Sequence, residues 1–152
     1  KVKVIQISDS DKIIFDETKV DLESDNTVSK INLNTKVSDI KSTFTYNKDK
    51  YNVEIKNNKN QVLANDKFVG TGTSINLVSK ETNDVLQSYY LIVYGDITGD
   101  GIVDSMDMYN TIQHILQNEK LNNEFLKAAD TNSDLKIDSM DMYNIIQMIL
   151  KK

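Results

Sequence analysis

Two segments of this chain present oxygen-bearing side chains at intervals that suit the binding of a hard divalent cation. In the first, Asp96-Ile97-Thr98-Gly99-Asp100-Gly101-Ile102-Val103-Asp104-Ser105-Met106-Asp107, they stand at loop positions 1, 3, 5, 9 and 12. The second, Asp130-Thr131-Asn132-Ser133-Asp134-Leu135-Lys136-Ile137-Asp138-Ser139-Met140-Asp141, repeats the pattern 34 residues later. Ca2+ takes six to eight oxygens in flexible geometry, and a loop of this spacing supplies them from those positions and from the backbone carbonyl at position 7. Loop one therefore offers Asp96, Thr98, Asp100, the Ile102 carbonyl, Asp104 and Asp107. Loop two offers Asp130, Asn132, Asp134, the Lys136 carbonyl, Asp138 and Asp141, so two Ca2+ ions are expected. Segments rich in Asp, Asn and Gly are also ordinary turn chemistry, but duplication in register makes accident a poor explanation. Two features depart from the usual loop. Position 12 is Asp, whose shorter arm requires the helix start to be drawn closer, and position 6 of loop two is Leu135 where Gly would ease the turn. Site two is expected to be strained or weaker.

Helices must hold these loops. Met108, Ile112, Ile115 and Leu116 recur at helical spacing after loop one, and that helix is expected to end near Asn118. Leu121 to Ala129 reads as a shorter helix delivering Asp130, and Ser139 to Leu150 as a third. Residues 104–116 and 138–150 agree at 11 of 13 positions, differing at Thr111/Ile145 and His114/Met148. Such a copy predicts two helices related by an internal two-fold. Met108, Ile112 and Ile115, with Met142, Ile146 and Ile149, are assigned to the core. His114 has no Cys or His neighbour and reads as a plain surface or packing residue.

The 94 residues before the loops read as β-rich. Lys1 to Ile7 alternates apolar and polar residues, as do Tyr51 to Ile55 and Ser74 to Val78. Val28 to Leu33 is a further strand, and Gln61 to Ala64 a short return after the turn Asn57-Asn58-Lys59-Asn60. Thr35 to Phe44 has helical spacing, with Thr35 as N-cap. Ser88 to Tyr94 is apolar nearly throughout and predicts a strand buried on both faces. The acids Asp9, Asp11, Asp16, Glu17, Asp21, Glu23 and Asp25 surround Ile13-Ile14-Phe15 with Lys12 and Lys19 interleaved, which reads as a solvated loop or edge strand. The expected module has about six strands and one short helix, either a β-sandwich of immunoglobulin type or an α+β fold. Gly70-Thr71-Gly72 breaks the chain. Only Gly95 separates the last strand from Asp96, so modules 1–94 and 95–152 are expected to pack as a semi-rigid unit.

Charge follows the same division. Residues 1–94 carry 13 acids and 13 lysines, whereas residues 95–152 carry 10 acids and 5 lysines, and eight of those ten acids lie in the loops. The formal net charge of −5 therefore belongs to the half where cations would relieve it. No basic excess points to nucleic acid, and no apolar run approaches a membrane span. With no Cys, thiol-rich zinc sites and disulfide scaffolds are excluded. One His and no Ser/His/Asp set give no catalytic constellation, so no catalytic residue is assigned. A chain that starts Lys-Val-Lys-Val is expected to be a fragment of something longer.

The run Gly95 to Asp107, its helix, and the second copy at a spacing of 34 resemble the dockerin family of bacterial cellulosomes. The resemblance covers residues 95–152 and implies an all-α module of two calcium loop-helix repeats that lacks the entering helix of a full EF-hand. It implies a cohesin partner and a secreted, extracellular or cell-surface setting. It places the family's recognition positions 10 and 11 on Ser105-Met106 and Ser139-Met140. Tyr109 and Tyr143 join them as candidate contacts, with packing inside as the alternative for these tyrosines and for Met106 and Met140, while the serines are also natural N-caps. Because both copies carry the same pair, two binding orientations on one cohesin are expected. The β-rich half is similar in placement to the X modules that precede some dockerins, which implies intramolecular packing on the dockerin. A calcium-sensing EF-hand regulator is the alternative. Carbohydrate binding by the β half is disfavoured, because it has no Trp and few aromatics outside its expected core.

Overall fold

The computed structural model describes residues 9–151; the strand expected over Lys1 to Ile7 lies outside them. A 3-10 turn, Asp9–Asp11, leads into β1 (Ile14–Phe15), β2 (Asp21–Leu22) and β3 (Thr27–Ser29). Then come α1 (Val37–Lys41), β4 (Phe44–Thr45), β5 (Tyr51–Lys56), β6 (Ser74–Ser79) and β7 (Val85–Leu91). The C-terminal half is helical, with α2 (Ser105–Ile115), α3 (Asn123–Ala129) and α4 (Ser139–Leu150). Among the described residues no helix is long and apolar enough to cross a membrane.

Five strands form one mixed sheet in the order β2-β3-β7-β6-β5, and β1 pairs with β4 in a separate ribbon. The two predicted alternating strands, β5 and β6, are antiparallel neighbours from Tyr51 opposite Ser79 to Lys56 opposite Ser74. β3 runs parallel to β7, with Thr27 opposite Tyr90. The return after Asn60 is shorter than expected, a single bridge from Lys56 to Val62. One core joins ribbon, helix and sheet through Ile13, Phe15, Val20, Val37, Ile40, Phe44, Ile75, Leu77 and Leu91. The Phe15 ring meets Phe44 and Tyr89 edge-on at 5.6 and 4.9 Å. Burying such apolar surface is the main favourable term in folding this half.

Three expectations need correction. β7 starts at Val85 and is wet on one face: Tyr89 and Leu91 are buried while Tyr90 is exposed. Ile92 and Val93 are buried after the strand has ended. The helix in 35–44 runs only from Val37 to Lys41, because the Thr35 carbonyl accepts from Val69 N–H at 2.9 Å and Phe44 enters β4. Lys36 is the cap position, with Asp39 Oδ2 accepting from its N–H at 2.9 Å. The Lys67 and Asn65 carbonyls accept from Val37 and Ser38 N–H. The acid-rich stretch supplies β2 at the exposed edge of the sheet, as expected, and within it Asp11 Oδ1 accepts from Tyr51 Oη at 2.6 Å.

α2 packs on α4, and a second apolar cluster gathers Ile97, Val103, Ala129 and Ile145, with Leu33 of the β-rich half against it. Beside the acids Asp107 and Asp141, the buried positions of α2 and α4 are Thr111 and Ile145. Met108, Ile112, Ile115, Met142, Ile146 and Ile149 are half-buried rather than buried, and of these Met108 and Ile149 pack against the cluster as expected. The two copies therefore differ at their most buried matching apolar position. Thr111 fits there because its Oγ1 donates to the Asp107 carbonyl at 2.9 Å, satisfying a polar atom that burial would otherwise penalise.

Candidate metal centre

Each loop is fixed from the helix it feeds. Asp104 and Asp138 have nearly identical extended backbones, φ −143° and ψ −167° against φ −142° and ψ −165°. Asp104 Oδ1 accepts from Met106 N–H at 2.8 Å, and Asp107 Oδ2 accepts from Asp104 N–H at 2.8 Å. The copy has Asp138 and Met140 at 2.8 Å and Asp141 and Asp138 at 2.9 Å. This is a reciprocal capping box with Asp in both roles. The serines are not the caps: Ser105 and Ser139 are the first helical residues, and they are exposed. A carboxylate one residue earlier reaches the orphan N–H groups and leaves the hydroxyls outward.

The other oxygen of each position-12 carboxylate crosses to the loop start. Asp107 Oδ1 accepts from Ile97 and Thr98 N–H, both at 2.8 Å. Asp141 Oδ1 accepts from Thr131 N–H at 2.8 Å and Thr131 Oγ1 at 3.1 Å. These bonds draw the helix start toward the loop, which is how a side chain as short as Asp closes the turn.

Position 1 gathers the loop's amides. Asp96 Oδ1 accepts from Gly99 N–H at 2.8 Å and Asp100 N–H at 3.2 Å, and its Oδ2 from Gly101 N–H at 3.0 Å. Asp130 accepts from Asp134 N–H at 3.1 Å and Leu135 N–H at 2.9 Å. Asp100 and Asp134 each accept from the N–H two residues on, at 2.9 Å. At position 3, Thr98 Oγ1 donates to Asp96 Oδ1 at 3.4 Å, while Asn132 Oδ1 accepts from Asp134 N–H at 3.1 Å. Ile102 and Lys136 are exposed, so at position 7 only the backbone is free to serve the loop.

Asp130, Asp134 and Asp141 bring one oxygen each to within 4.8 Å of one another, and they are the one such group of three among the described residues. Loop one buries its carboxylates further without that convergence: Asp96 and Asp107 are both 0% exposed. Burial pushes Asp96 up to about 6, with the Asp107 charge adding to it, against the opposing N–H groups of Thr71, Gly101 and Gly99. Burial also raises Asp107. A low-dielectric site holding two acids disfavours their charged forms, and a divalent cation would reverse that. The donor set is oxygen throughout, with no sulfur or imidazole, and fits a hard cation such as Ca2+.

Backbone shape repeats as well. Gly99 and Gly101 have φ of +74° and +84°, and their counterparts Ser133 and Leu135 have 60° and 67°. The turn at position 6 was legible in the sequence, whereas the left-handed residue at position 4 was not. A larger omission concerns Gly70-Thr71-Gly72. Thr71 N–H donates to Asp96 Oδ2 at 2.9 Å, and Asn58 Nδ2 donates to the Thr98 carbonyl at 3.0 Å. A Cβ on Gly99 would lie 2.5 Å from the Thr71 carbonyl oxygen, and one on Gly101 would lie 2.9 Å from that of Val69. Gly70 is not left-handed, yet a Cβ on it would collide with the Gly99 carbonyl; only the close approach requires a glycine there.

Residues 94–150 match the family model for the dockerin type I domain. This segment is a dockerin domain. Comparison with curated proteins and with solved structures finds no match for the chain. Dockerins as a family are non-catalytic, bind calcium, dock onto cohesins and are typically extracellular components of cellulosomes. In this dockerin Met106 and Tyr109 are 54% and 51% exposed, and Met140 and Tyr143 are 54% and 55% exposed. The methionines are therefore surface residues, and each helix carries a matching exposed trio with its serine. His114 is half-buried, and its Nδ1 accepts from Leu121 N–H at 3.0 Å, tying the α2–α3 connection.

Proposed function

We propose that this chain serves in docking: a dockerin of residues 95–152 that holds two Ca2+ ions and binds a cohesin, preceded by a supporting β-rich module of residues 1–94. One ion is held by Asp96, Thr98, Asp100, the Ile102 carbonyl, Asp104 and Asp107, and the other by the matching set from Asp130 to Asp141. The ions neutralise buried carboxylates that otherwise repel, so that metal binding is linked to folding. The observation that carries this reading is the duplication of local geometry, with the same caps, a bond from the position-2 N–H to the position-12 carboxylate in each loop and the same exposed Ser, Met and Tyr.

Ser105, Met106 and Tyr109 on α2, or Ser139, Met140 and Tyr143 on α4, contact the cohesin, and the likeness of the two faces supports two orientations. The exposed thioethers suit an adaptable contact. The β-rich module packs on loop one and α3, a reading supported by the Thr71 and Asn58 bonds and by Lys127, whose Nζ lies 2.7 Å from both Glu23 and Asp25. Its role is support, and the parent protein is thereby attached to a scaffold or cell surface.

Titration calorimetry against a cohesin, with Ca2+ or with EDTA, tests the proposal. Binding is expected only with Ca2+, and EDTA is expected to lower helical circular dichroism; unchanged helicity and affinity would sink it. Replacing Met106 and Tyr109 by Ala should leave binding largely intact through α4. Loss as complete as in the variant altered on both helices would exclude the second orientation.

A further inference from the structure

We infer that Gly70, Thr71 and Asn58 are positioning residues for loop one: the β-rich half orders this loop before any ion arrives, whereas loop two is ordered by its ion. The inference rests on the calcium reading of the loops proposed above. The two loops have almost the same ligand chemistry and the same helix caps, so any difference in how they are held must come from their surroundings. In loop one the Thr71 N–H supplies a donor to Asp96 Oδ2 from outside the loop, at 2.9 Å. That donor is itself fixed, because Thr71 is 0% exposed and its Oγ1 donates to the Val93 carbonyl at 3.0 Å. Asn58 holds the Thr98 carbonyl, and the Gly70 backbone lies against Gly99 and Gly101 so closely that no Cβ fits between them. Phe125 closes the other side, near both Gly72 and Gly99.

Among the described residues loop two has none of this cover. Ser133, Asp134, Leu135 and Lys136 are exposed, Leu135 at 93%, and the three carboxylates that converge there are drawn from the loop and its own helix. Ordering a loop costs conformational entropy for each residue fixed. Where rigid neighbours already impose the shape, the ion is not required to supply that ordering; where solvent surrounds the loop, it is.

Amide hydrogen exchange on the full chain, resolved by NMR in EDTA and in Ca2+, reads the difference. In EDTA the Ile97, Thr98, Gly99 and Gly101 amides are expected to stay protected, while those of Thr131, Asp134 and Leu135 exchange at least about tenfold faster than in Ca2+. Gly70→Ala, whose new Cβ must push the turn away, should make loop one's protection depend on Ca2+ as loop two's does. Asn58→Ala removes one bond at an exposed residue, endangers the fold little, and should shift loop one the same way by a smaller factor. β5 and β6 amides serve as the control for global folding. Equal exchange in the two loops in EDTA would overturn the inference, as would loop-one protection unaltered in both variants while β5 and β6 remain intact. Calcium that changes neither loop nor helicity would instead overturn the calcium reading itself, even if loop one stayed protected.

Discussion

Loop one and loop two share a code and differ in their neighbours. At position 4 the pair is Gly99 and Ser133, and at position 6 it is Gly101 and Leu135, all four left-handed. A left-handed conformation alone does not demand glycine, since loop two adopts it with two residues that carry side chains. What demands glycine in loop one is the backbone at 69–71, which leaves no room for a Cβ. The same two positions therefore feel one constraint in the open loop and two in the covered one. A repeat read only for its local pattern would treat Leu135 as the anomaly; the structure makes the glycines of loop one equally informative.

The largest test of this contrast is Gly99→Ala beside Ser133→Ala. In loop one the new methyl meets the Thr71 carbonyl oxygen and Asn58 Nδ2, and the residue stays left-handed, so destabilisation of roughly 2–4 kcal/mol is expected. In loop two the exposed Ser133 already has a Cβ at φ 60°, and its change to Ala should stay within about 0.5 kcal/mol. Chemical denaturation in Ca2+ measures both. Equal effects would mean that the approach of the 70–72 turn has no energetic consequence.

Leu135→Gly comes next, with the opposite sign. Leu135 is 93% exposed, so almost no buried surface is lost, and removing its Cβ relieves a left-handed strain of about 1–2 kcal/mol, partly offset by the greater freedom of Gly in the unfolded chain. A net gain of about 0.5–1 kcal/mol and tighter Ca2+ binding at loop two are expected. If calorimetry shows weaker binding, Leu135 has a role in the fold that its exposure hides.

These contrasts also mark what the sequence made legible. The loop spacing, α2, α4, β5 and β6 were legible because each is written in local periodicity. The caps were misread because Asp104 and Asp138 look like ligands while serine is a common cap; only the backbone shows one carboxylate reaching forward to the N–H two residues on. Thr111 and Ile145 escaped as core positions because the apolar stripe shared by both helices drew attention to Met108, Ile112 and Ile115. The Gly70-Thr71-Gly72 turn read as a break, since nothing local says that it faces a loop 25 residues away in sequence, where Thr71 meets Asp96. Lys127 among Glu23, Asp25 and Thr27 is further still, across 100 or more residues of chain, and has no local signature.

The smallest expected effect lies at that second link between the halves. Hydrogen bonds from Lys127 and Thr27 hold Asp25 down at about 2, well below the usual carboxylate value near 4. A carboxyl whose folded value is depressed adds stability above its unfolded value and loses it as pH falls through the folded one, so the link is complete at pH 7 and fades between about pH 4 and pH 2. Asp25 is 53% exposed at its side chain, so solvent screening keeps the contribution below about 1 kcal/mol. Lys127→Met should therefore lower stability slightly at pH 7 and leave it nearly unchanged at pH 2, with loop one still protected from exchange. Loss of that protection at pH 7 would shift the support of loop one from the 70–72 turn to the lysine, and with it the reason why the two loops differ.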